Sequence, residues 1–381
     1  MQDHNIPSIA EANLNLQGVY VLVRSPLNVP VENHKVSNAF RLKQALHTIE
    51  FLRERKARVI LISHIGREEQ ETLAPVYEAL QEYFPLSFCP EITGAQATSM
   101  RNSMQDGDVL LLENLRRDPR ETEDDAGFAQ ELAALADVYV NDDFAASHRA
   151  HASLSAICAL LPSYAGLSFL QEYTELSKVM HPPHPALFIL GGAKFETKMP
   201  LVEKYLDIYD DIFIGGALAN DFFKAKGYEI GDSLVSSASL ADSALLAHPK
   251  IKLPVDVVVV KDGVSRVTTP DAILPKEVIL DIGPRSIAEL ESSIMRARTI
   301  LWNGPMGNYE HGYPDQTLAL ARLIAASEAY SVVGGGDTVA AIESLDLNAQ
   351  YSFLSTAGGA MLTFLELGSL PALDALQRSH N

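Results

Sequence analysis

Residues 186–198 read ALFILGGAKFETK, and this stretch decides how the second half of the chain folds. The run Ala186–Leu190 is apolar throughout, as in a strand that is buried on both faces of a parallel sheet. Glycine at Gly191-Gly192 lets a backbone approach a ligand, and a helix that begins there directs free N–H groups toward an anion. Lys194 and Lys198 lie four residues apart, so they either share a solvated helix face or meet a phosphate. The stretch predicts a strand, a phosphate-binding loop and a helix.

The rest of the second half repeats this pattern of an apolar strand followed by a glycine-rich turn. Predicted strands are Ile212–Ile214, Val255–Val260, Thr299–Trp302, Ser331–Val333 and Tyr351–Leu354. Turns rich in glycine follow four of these strands, at 215–216, 303–307, 334–338 and 355–359. In the third turn, Asp337 is suited to meet a metal ion held by phosphates, and Thr338 to cap the next helix. This half lacks the Walker pattern GxxxxGK[ST], yet the repeated turns predict a nucleotide-binding domain.

The first half ends its strands in cations instead. Predicted strands are Val19–Val23, Val59–Ile62, Val109–Leu112 and Val138–Val140. The cations at or after these strand ends are Arg24, His64, Arg67, Arg116, His148, Arg149 and His151, and Arg41 belongs to the same scattered set. Scattered cations in an acidic chain are usually solvated surface charges. However, parallel strands bind ligands at their carboxyl ends, and guanidinium groups grip phosphate and carboxylate in a forked way. The first half therefore predicts a pocket for a small, multiply anionic ligand.

These alternations predict an α/β fold. Helical patterns at Asn38–Arg53, Leu73–Tyr83 and Gln316–Ala326 separate the strands. We expect two doubly wound, mostly parallel-sheet (Rossmann-like) domains separated by a cleft. The anionic ligand belongs to residues 1–168 and the nucleotide to residues 169–362, with a linker near Pro162–Leu176. Residues 363–381 form a tail that is apolar and helical in pattern over Thr363–Leu376.

Composition limits the function classes. The chain has 381 residues, 47% of them apolar, and a formal charge of −19. That charge argues against non-specific binding to nucleic acid or anionic lipid. Cys89 and Cys158 predict reduced, buried thiols. Without an apolar run near 18 residues or a signal-peptide pattern at the N-terminus, we expect a cytoplasmic protein that does not bind membranes.

Six motifs, in order along most of the chain, carry a resemblance to a known family. They are Ser63–Arg67, Glu113–Arg116, Val140–Asp142 with His148–His151, Gly191–Lys198, Trp302–Gly307 and Gly334–Thr338. They resemble the SHLGR, ENLR, VND…HRAH, GGAKxxxK, WNGPMG and GGGDT segments of the phosphoglycerate kinase family. Each motif alone is weak, but their joint order over two domains is highly specific. The chain is identified on this basis as a member of that family.

The resemblance implies reversible, Mg²⁺-dependent phosphoryl transfer between 1,3-bisphosphoglycerate and ADP, in glycolysis, by a monomer. It places phosphoglycerate on Asn28, Arg41, His64, Arg67, Arg116 and Arg149, with Arg24 nearby. It places the nucleotide phosphates on Lys194, Lys198, Gly335, Gly336, Asp337 and Thr338, the ribose on Glu310, and the Mg²⁺ complex on Asp337. Arg41 and Lys198 would act on the transferring group. A carboxylate nucleophile is already ionised at neutral pH, so catalysis would rest on alignment and charge neutralisation.

Several residues have a structural interpretation beside the functional one. His64 and His151 either bind the ligand or only orient their neighbours. Glu113 and Asp142 are expected to hold arginines. Arg117 and Arg120 are expected to be surface charges, and 121–125 a solvated helix start.

The chain also departs from the family pattern, which leaves three hypotheses. Pro26 stands where the family has a substrate-contacting Asp, and it has neither a side-chain acceptor nor an N–H. Ala217 and Ala357 replace glycines, and Asn308-Tyr309 replaces VF before Glu310. The protein is a working phosphoglycerate kinase, a kinase of the same fold with an altered acid substrate, or a non-catalytic nucleotide-binding protein.

Motion is the last expectation from sequence. Direct transfer requires the reacting atoms to lie about 3–3.5 Å apart, and water would compete as the phosphoryl acceptor. We expect the two domains to close when both substrates are bound, with a hinge near Pro162–Leu176. The resemblance implies that the tail returns to the first domain as a second connection.

Overall fold

The computed structural model describes residues 6–237, 240 and 243–380. The chain separates into two compact units. Unit 1 comprises Met1–Thr174 with Leu367–Asn381, and unit 2 comprises Glu175–Glu366. Each unit is built around its own six-stranded sheet.

Unit 1 has a parallel sheet whose strands run in the order β5-β6-β4-β1-β7-β8. Its strands are β1 (Tyr20–Arg24), β2 (Val31–Glu32), β3 (Lys35–Val36), β4 (Arg58–Ile62), β5 (Ser87–Cys89), β6 (Val109–Leu112), β7 (Val138–Asn141) and β8 (Ser163–Ala165). Its helices are α1 (Phe40–Glu54), α2 (Ala74–Leu80), α3 (Ala95–Ser103), α4 (Ala126–Ala133) and the first half of α5 (Leu167–Met180). The β2–β3 pair is antiparallel and separate from the main sheet. The core consists of the central strands packed against helices on their faces, as burial on both sides requires.

Unit 2 has a second parallel sheet, in the order β11-β10-β9-β15-β16-β17, and a three-stranded antiparallel sheet, β13-β12-β14. Its strands are β9 (Ala186–Leu190), β10 (Asp211–Ile214), β11 (Ile251–Lys252), β12 (Val257–Lys261), β13 (Val264–Thr268), β14 (Val278–Ile282), β15 (Thr299–Asn303), β16 (Tyr330–Gly334) and β17 (Phe353–Leu354). Its helices are α6 (Phe195–Tyr205), α7 (Leu218–Ala225), α8 (Pro284–Arg296), α9 (Asp315–Ala325), α10 (Gly336–Ser344) and α11 (Gly359–Leu367). The predicted fold class of two doubly wound parallel-sheet domains is therefore confirmed.

One predicted strand lies in a different sheet from the one expected. The segment Val255–Val260 was expected in the parallel sheet, but its strand β12 pairs with β13 and β14 in the antiparallel sheet. Val257 and Val259 are buried while Val258 and Val260 are half-buried, so one face packs on a core more tightly than the other. An apolar run does not by itself reveal the direction of its partners.

Between the sheets of the two units, the chain runs through helix α5. The boundary between the units, at Thr174 and Glu175, falls inside this helix. The segment Pro162–Leu176 thus contains strand β8 and most of α5.

The tail forms a last helix, α12 (Pro371–Arg378), in unit 1. Ala372 N donates to the carbonyl of Ser147 at 3.2 Å, and His380 Nε2 lies 2.7 Å from the carbonyl of Ser163. Among the described helices, none is by itself long and apolar enough to cross a membrane; only α11 and α12 together pass on length and composition, and they are bent by 65° at their junction.

Candidate functional site

The loops that follow β9 and β15 lie against each other through their glycines. Gly191 N donates to Asn303 O, and Gly192 N donates to Pro305 O, each at 2.9 Å. A Cβ on Gly304, whose φ is +95°, would lie 2.5 Å from the Gly191 carbonyl oxygen. Any side chain at position 304 would clash with the Gly191 carbonyl, and the left-handed φ also favours glycine there.

Lys198 places its ammonium group in this glycine cradle. The side chain is only 6% exposed, and Nζ donates to the Gly191 carbonyl. Nζ would lie 2.9 Å from a Cβ on Gly304 and 3.0 Å from one on Gly192. Burial, followed by repulsion from Lys194, lowers the pKa of Lys198 to about 8. Lys194 itself is exposed, so the two lysines do not share a solvated helix face.

The carboxyl group of Asp337 interacts electrostatically with both Lys198 and Glu310. It occupies the first turn of helix α10, and the Glu310 carboxyl is its close neighbour. Burial and then the Glu310 charge raise the pKa of Asp337, while the Lys198 charge acts in the opposite direction. Two carboxylates that repel each other beside a buried lysine form a site that favours a cation or a ligand carrying one.

A cavity of about 450 Å³ opens from this point within unit 2. Its lining includes Gly192, Asp337 and Glu310 together with apolar side chains such as Phe223, Val257 and Ile279. A nucleotide requires both kinds of lining, polar groups for its phosphates and apolar side chains for its flat ring. The size is within the ordinary range for a small-molecule site.

Helix α10 begins at this cavity, with Gly335 as its N-cap at φ +104°. The expectation that Thr338 caps the helix is wrong. Thr338 lies inside the helix and is fully buried, and its Oγ1 has no hydrogen-bond partner among the described residues. The free N–H groups of the first turn therefore remain available to an anion.

In unit 1, the cations that follow the strands converge as expected from the topology. The positive charges of Arg24, Arg116 and Arg149 act on His64, and His151 is a further neighbour. Those of Arg149, Arg24 and Arg67 act on Arg116. Burial and these charges lower the pKa of Arg116 and hold the pKa of His64 well below its usual range. Burial and the same arginines lower the pKa of His151 to about 3, so both histidines are neutral at pH 7. We call His64, Arg67, Arg116, Arg149 and His151, with Asn28 and Arg41, the basic cluster.

Arg24 is enclosed within the protein beneath the basic cluster. It has no exposed surface, and it pairs with Asp143 at 2.8 Å. Its Nε donates to Ser153 Oγ, and its Nη2 lies 2.6 Å from His64 Nδ1. Arg24 is thus near the cluster through His64 and does not itself face solvent.

Asn28 and Arg41 extend the cluster toward helix α1. Asn28 Nδ2 lies 3.3 Å from His64 Nε2, and Arg41 Nη1 donates to the Asn28 carbonyl at 2.6 Å. On the other side, Arg149 Nε donates to His148 Nε2 at 3.1 Å. Arg67 and Arg149 are exposed, and Arg116 is half-buried with an Nε that has no partner in the described part of the chain. Guanidinium groups are therefore available at this surface.

The acids near the cluster differ from expectation. Glu113 does hold an arginine, but it is Arg117, at 3.2 Å. Among the described residues, Asp142 forms no ion pair with an arginine. It accepts hydrogen bonds from Ser168 and Phe169 at the start of α5, and Asp143 pairs with Arg24 instead. Burial raises the pKa of Asp142 to about 7.

The stretch 121–125 is not simply a solvated helix start. Glu121 is fully buried and accepts hydrogen bonds from Ser153 N at 3.0 Å and Ser153 Oγ at 2.6 Å. Asp125 does cap helix α4, accepting from Phe128 N at 2.7 Å. The expectation for Arg120 fits the structure better, since this half-exposed side chain pairs with Asp118 and Glu131.

Asp281 is a functional-site residue that the sequence reasoning missed. It lines the nucleotide-type cavity, is 4% exposed, and accepts from Ile282 N and Gln316 N. Burial raises its pKa to about 7. Its position near the end of strand β14, two residues before Gly283, was the available signal.

A glycine-lined cavity that adjoins a buried lysine, together with a separate cationic cluster, defines a phosphotransferase that acts on a small anionic substrate. The chain belongs to the phosphoglycerate kinase family, whose profile, "Phosphoglycerate kinase", matches residues 11–367. Its function is accordingly that of a glycolytic phosphoglycerate kinase.

Similar proteins span nearly the same length. The phosphoglycerate kinases of Thermomicrobium roseum and Moorella thermoacetica are each 40% identical, covering 96% of this chain and 98% of theirs. The structure of phosphoglycerate kinase from Coxiella burnetii is similar with a TM-score of 0.83 at 37% identity, covering 98% of this chain and 99% of that one. The corresponding structure from Pyrococcus horikoshii has a TM-score of 0.86 at 29% identity, with 97% and 98% covered.

Proposed function

We propose that this enzyme transfers a phosphoryl group between the carboxyl of 3-phosphoglycerate and the terminal phosphate of ADP or ATP, with Mg²⁺. Residues 1–168 would bind the acid and residues 169–362 the nucleotide, with the tail 363–381 returning to the first domain. The carrying observation is the pairing of one convergent cationic cluster with one glycine-lined cavity, whose wall at Gly192 also borders the ammonium of the buried Lys198. We further propose a cytoplasmic monomer.

The acid substrate would bind to the basic cluster. Arg67, Arg116 and Arg149 offer guanidinium groups to the phosphate and carboxylate, and mutual repulsion among them makes an anionic ligand favourable. Arg41, whose side chain is anchored on the Asn28 carbonyl, would reach the transferring group. Neutral His64 and Asn28 would contact the ligand by hydrogen bonds, with Arg24 behind them.

The nucleotide would bind in the cavity of unit 2. Its phosphates would meet Lys194, Lys198 and the free N–H groups at Gly335–Thr338, with Glu310 at the ribose. Mg²⁺ fits this donor set. No described group of three or more His, Cys, Asp or Glu side chains could hold a metal, but Mg²⁺ usually binds to one or two carboxylates and substrate phosphates. Asp337 would hold it, and when bound it would neutralise charge on the phosphate oxygens.

Catalysis would then be alignment and charge neutralisation, without a general base. The attacking carboxylate is already ionised at neutral pH, so no proton has to be removed from it during the transfer. Lys198 keeps its ammonium in a cradle that excludes water, so its charge acts in a medium of low dielectric constant. Binding of a phosphate beside it raises the pKa of Lys198 from about 8 and keeps it protonated.

Pro26 favours a second candidate, a kinase of the same fold with an altered acid substrate. It is buried in the strand-to-loop segment between Arg24 and Asn28, where it offers no hydrogen bond to a substrate hydroxyl. A lost hydrogen bond of that kind weakens binding by about 1–2 kcal/mol. The adjacency of Lys198 and Asp337 argues against the third candidate, a non-catalytic nucleotide-binding protein.

A coupled assay with 3-phosphoglycerate and MgATP, repeated with other small phospho-acids, tests the proposal. Turnover that is highest with 3-phosphoglycerate supports the first candidate. Higher turnover with another phospho-acid supports the second, and the absence of turnover with any acid, alongside measurable nucleotide binding, supports the third.

A further inference from the structure

The bonding of His64 determines where its ring proton lies. Arg24 Nη2 is 2.6 Å from His64 Nδ1. A guanidinium group has five N–H donors, no acceptor, and no accessible deprotonated form in proteins. Nδ1 must therefore accept from Arg24, and the proton of the neutral ring must lie on Nε2.

The second ring nitrogen then faces a group that cannot accept its proton. Asn28 Oδ1 is engaged by Gly66 N at 3.1 Å, which fixes the amide orientation and turns Nδ2 toward His64. Nδ2 lies 3.3 Å from His64 Nε2, so two donors point to the same region. Two N–H groups that face each other form no hydrogen bond, so both remain free to donate to an oxygen of a bound ligand.

Arg24 is built for this role and not for direct contact with a ligand. Its side chain has no exposed surface. Nε is used by Ser153 Oγ, and Nη1 by Asp143, the Ser25 carbonyl and Ser63 Oγ, while Nη2 serves His64. Each partner fixes the guanidinium plane, so the nitrogen that reaches His64 has a defined position.

We propose that Arg24 is a positioning residue that holds His64 as the neutral Nε2–H tautomer, so that His64 and Asn28 donate together to one oxygen of the acid substrate. This inference rests on the proposed function for the identity of that oxygen, but the tautomer itself does not depend on it. The charged and titratable groups that face His64 are Arg24, Arg116, Arg149 and His151, and together with burial they keep its pKa well below its usual range. The donor pair therefore persists across neutral pH.

The first test needs no substrate. Two-bond ¹H–¹⁵N correlation spectra of the full-length protein with ¹⁵N-labelled histidine distinguish the two tautomers and the imidazolium form, and a His64→Gln variant serves only to assign the signal. We expect only the Nε2–H form of His64 from pH 6 to pH 8. An Nδ1–H tautomer, or protonation within that range, would overturn the proposal whatever the enzyme's substrate proves to be.

The second test separates positioning from general stability. Arg24→Lys keeps a buried positive charge for Asp143 but has one donor arm instead of two. We expect an Nδ1–H population of His64 to appear, and the KM for 3-phosphoglycerate to rise about tenfold with the KM for MgATP unchanged. Arg58→Lys is the matched control, because Arg58 lies on the neighbouring strand β4 and also pairs with an aspartate, Asp106. A wild-type tautomer and KM in Arg24→Lys, or equal rises in both KM values, would contradict the assignment. If wild-type enzyme shows no turnover with 3-phosphoglycerate, the proposed function fails while the spectra still decide the tautomer.

Discussion

Replacement of Lys198 by alanine is the most direct perturbation of the proposed chemistry. Lys198 is only 6% exposed as a residue, and its ammonium is held in place by the Gly191 carbonyl. Two unit charges about 4 Å apart attract by about 4 kcal/mol at an effective dielectric constant of about 20. Water that fills the space left by the side chain would replace part of this attraction, so we expect the stabilisation of the transition state to fall by about 3 kcal/mol. That corresponds to a fall in kcat on the order of 10²-fold.

The assay is a coupled measurement of kcat with 3-phosphoglycerate and MgATP at saturating concentrations. Lys226→Ala is the control, since Lys226 is an exposed lysine of the same unit. Circular dichroism and thermal unfolding should show that Lys198→Ala keeps the fold. Turnover within about threefold of wild type, in a folded variant, would refute the assignment of charge stabilisation to Lys198.

Further predictions concern pH, anions, stability and motion. Because the pKa of Lys198 is lowered to about 8, the ammonium is lost as pH rises, so kcat/KM for the nucleotide should fall above about pH 8. A flat wild-type profile to pH 9.5, or a fall near pH 8 that persists in Lys198→Ala, would contradict this. Sulfate should compete with 3-phosphoglycerate for the basic cluster, and inhibition competitive only with MgATP would place the anion elsewhere. Thr338→Val should leave the melting temperature unchanged or raise it, since Oγ1 already lacks a partner; a loss of more than about 1 kcal/mol in the free energy of unfolding would show that it has one. The radius of gyration from small-angle scattering should decrease when both substrates bind, and an unchanged value in an active ternary complex would exclude large-scale closure.

Much of the sheet architecture could be predicted from sequence because parallel strands buried on both faces leave a plain apolar signature. Val109–Leu112 and Ala186–Leu190 were predicted with the bounds that the structure has. The short strands Ser87–Cys89 and Ser163–Ala165 were missed, because three residues at a sheet edge mix polar and apolar side chains. Strand pairing was less predictable, as β12 shows.

The candidate site followed from topology more than from residue type. The sequence indicated which cations lie at the strand ends, and the parallel sheet of unit 1 brings them together. Neighbouring acids could not be distinguished in this way. Asp142 and Asp143 differ by one position, yet the first caps α5 while the second pairs with Arg24. Glu121 was predicted to be solvated because charge runs usually are, but Ser153 satisfies it in the interior.

Two departures from the family pattern are explained by backbone geometry. Ala217 stands where the family has glycine, but its φ is −66°, which any L-residue adopts. Ala357 precedes Gly358, and Gly358 has the left-handed φ of +56°. The glycines that geometry requires at these two turns are therefore retained.

The contact between the glycine loops limits how this enzyme can be re-engineered. A side chain on Gly304 would strike Gly191, and one on Gly216 would lie 2.5 Å from Gly192 N, so each loop forms part of the wall of another. Single substitutions of these loop glycines are disfavoured by the clash itself, whatever their effect on ligand binding. Selection of active variants from a saturation library at these positions should therefore return mostly glycine. Altered nucleotide preference would have to come from the apolar lining of the cavity, such as the half-buried side chains of Val278 and Leu280 on strand β14.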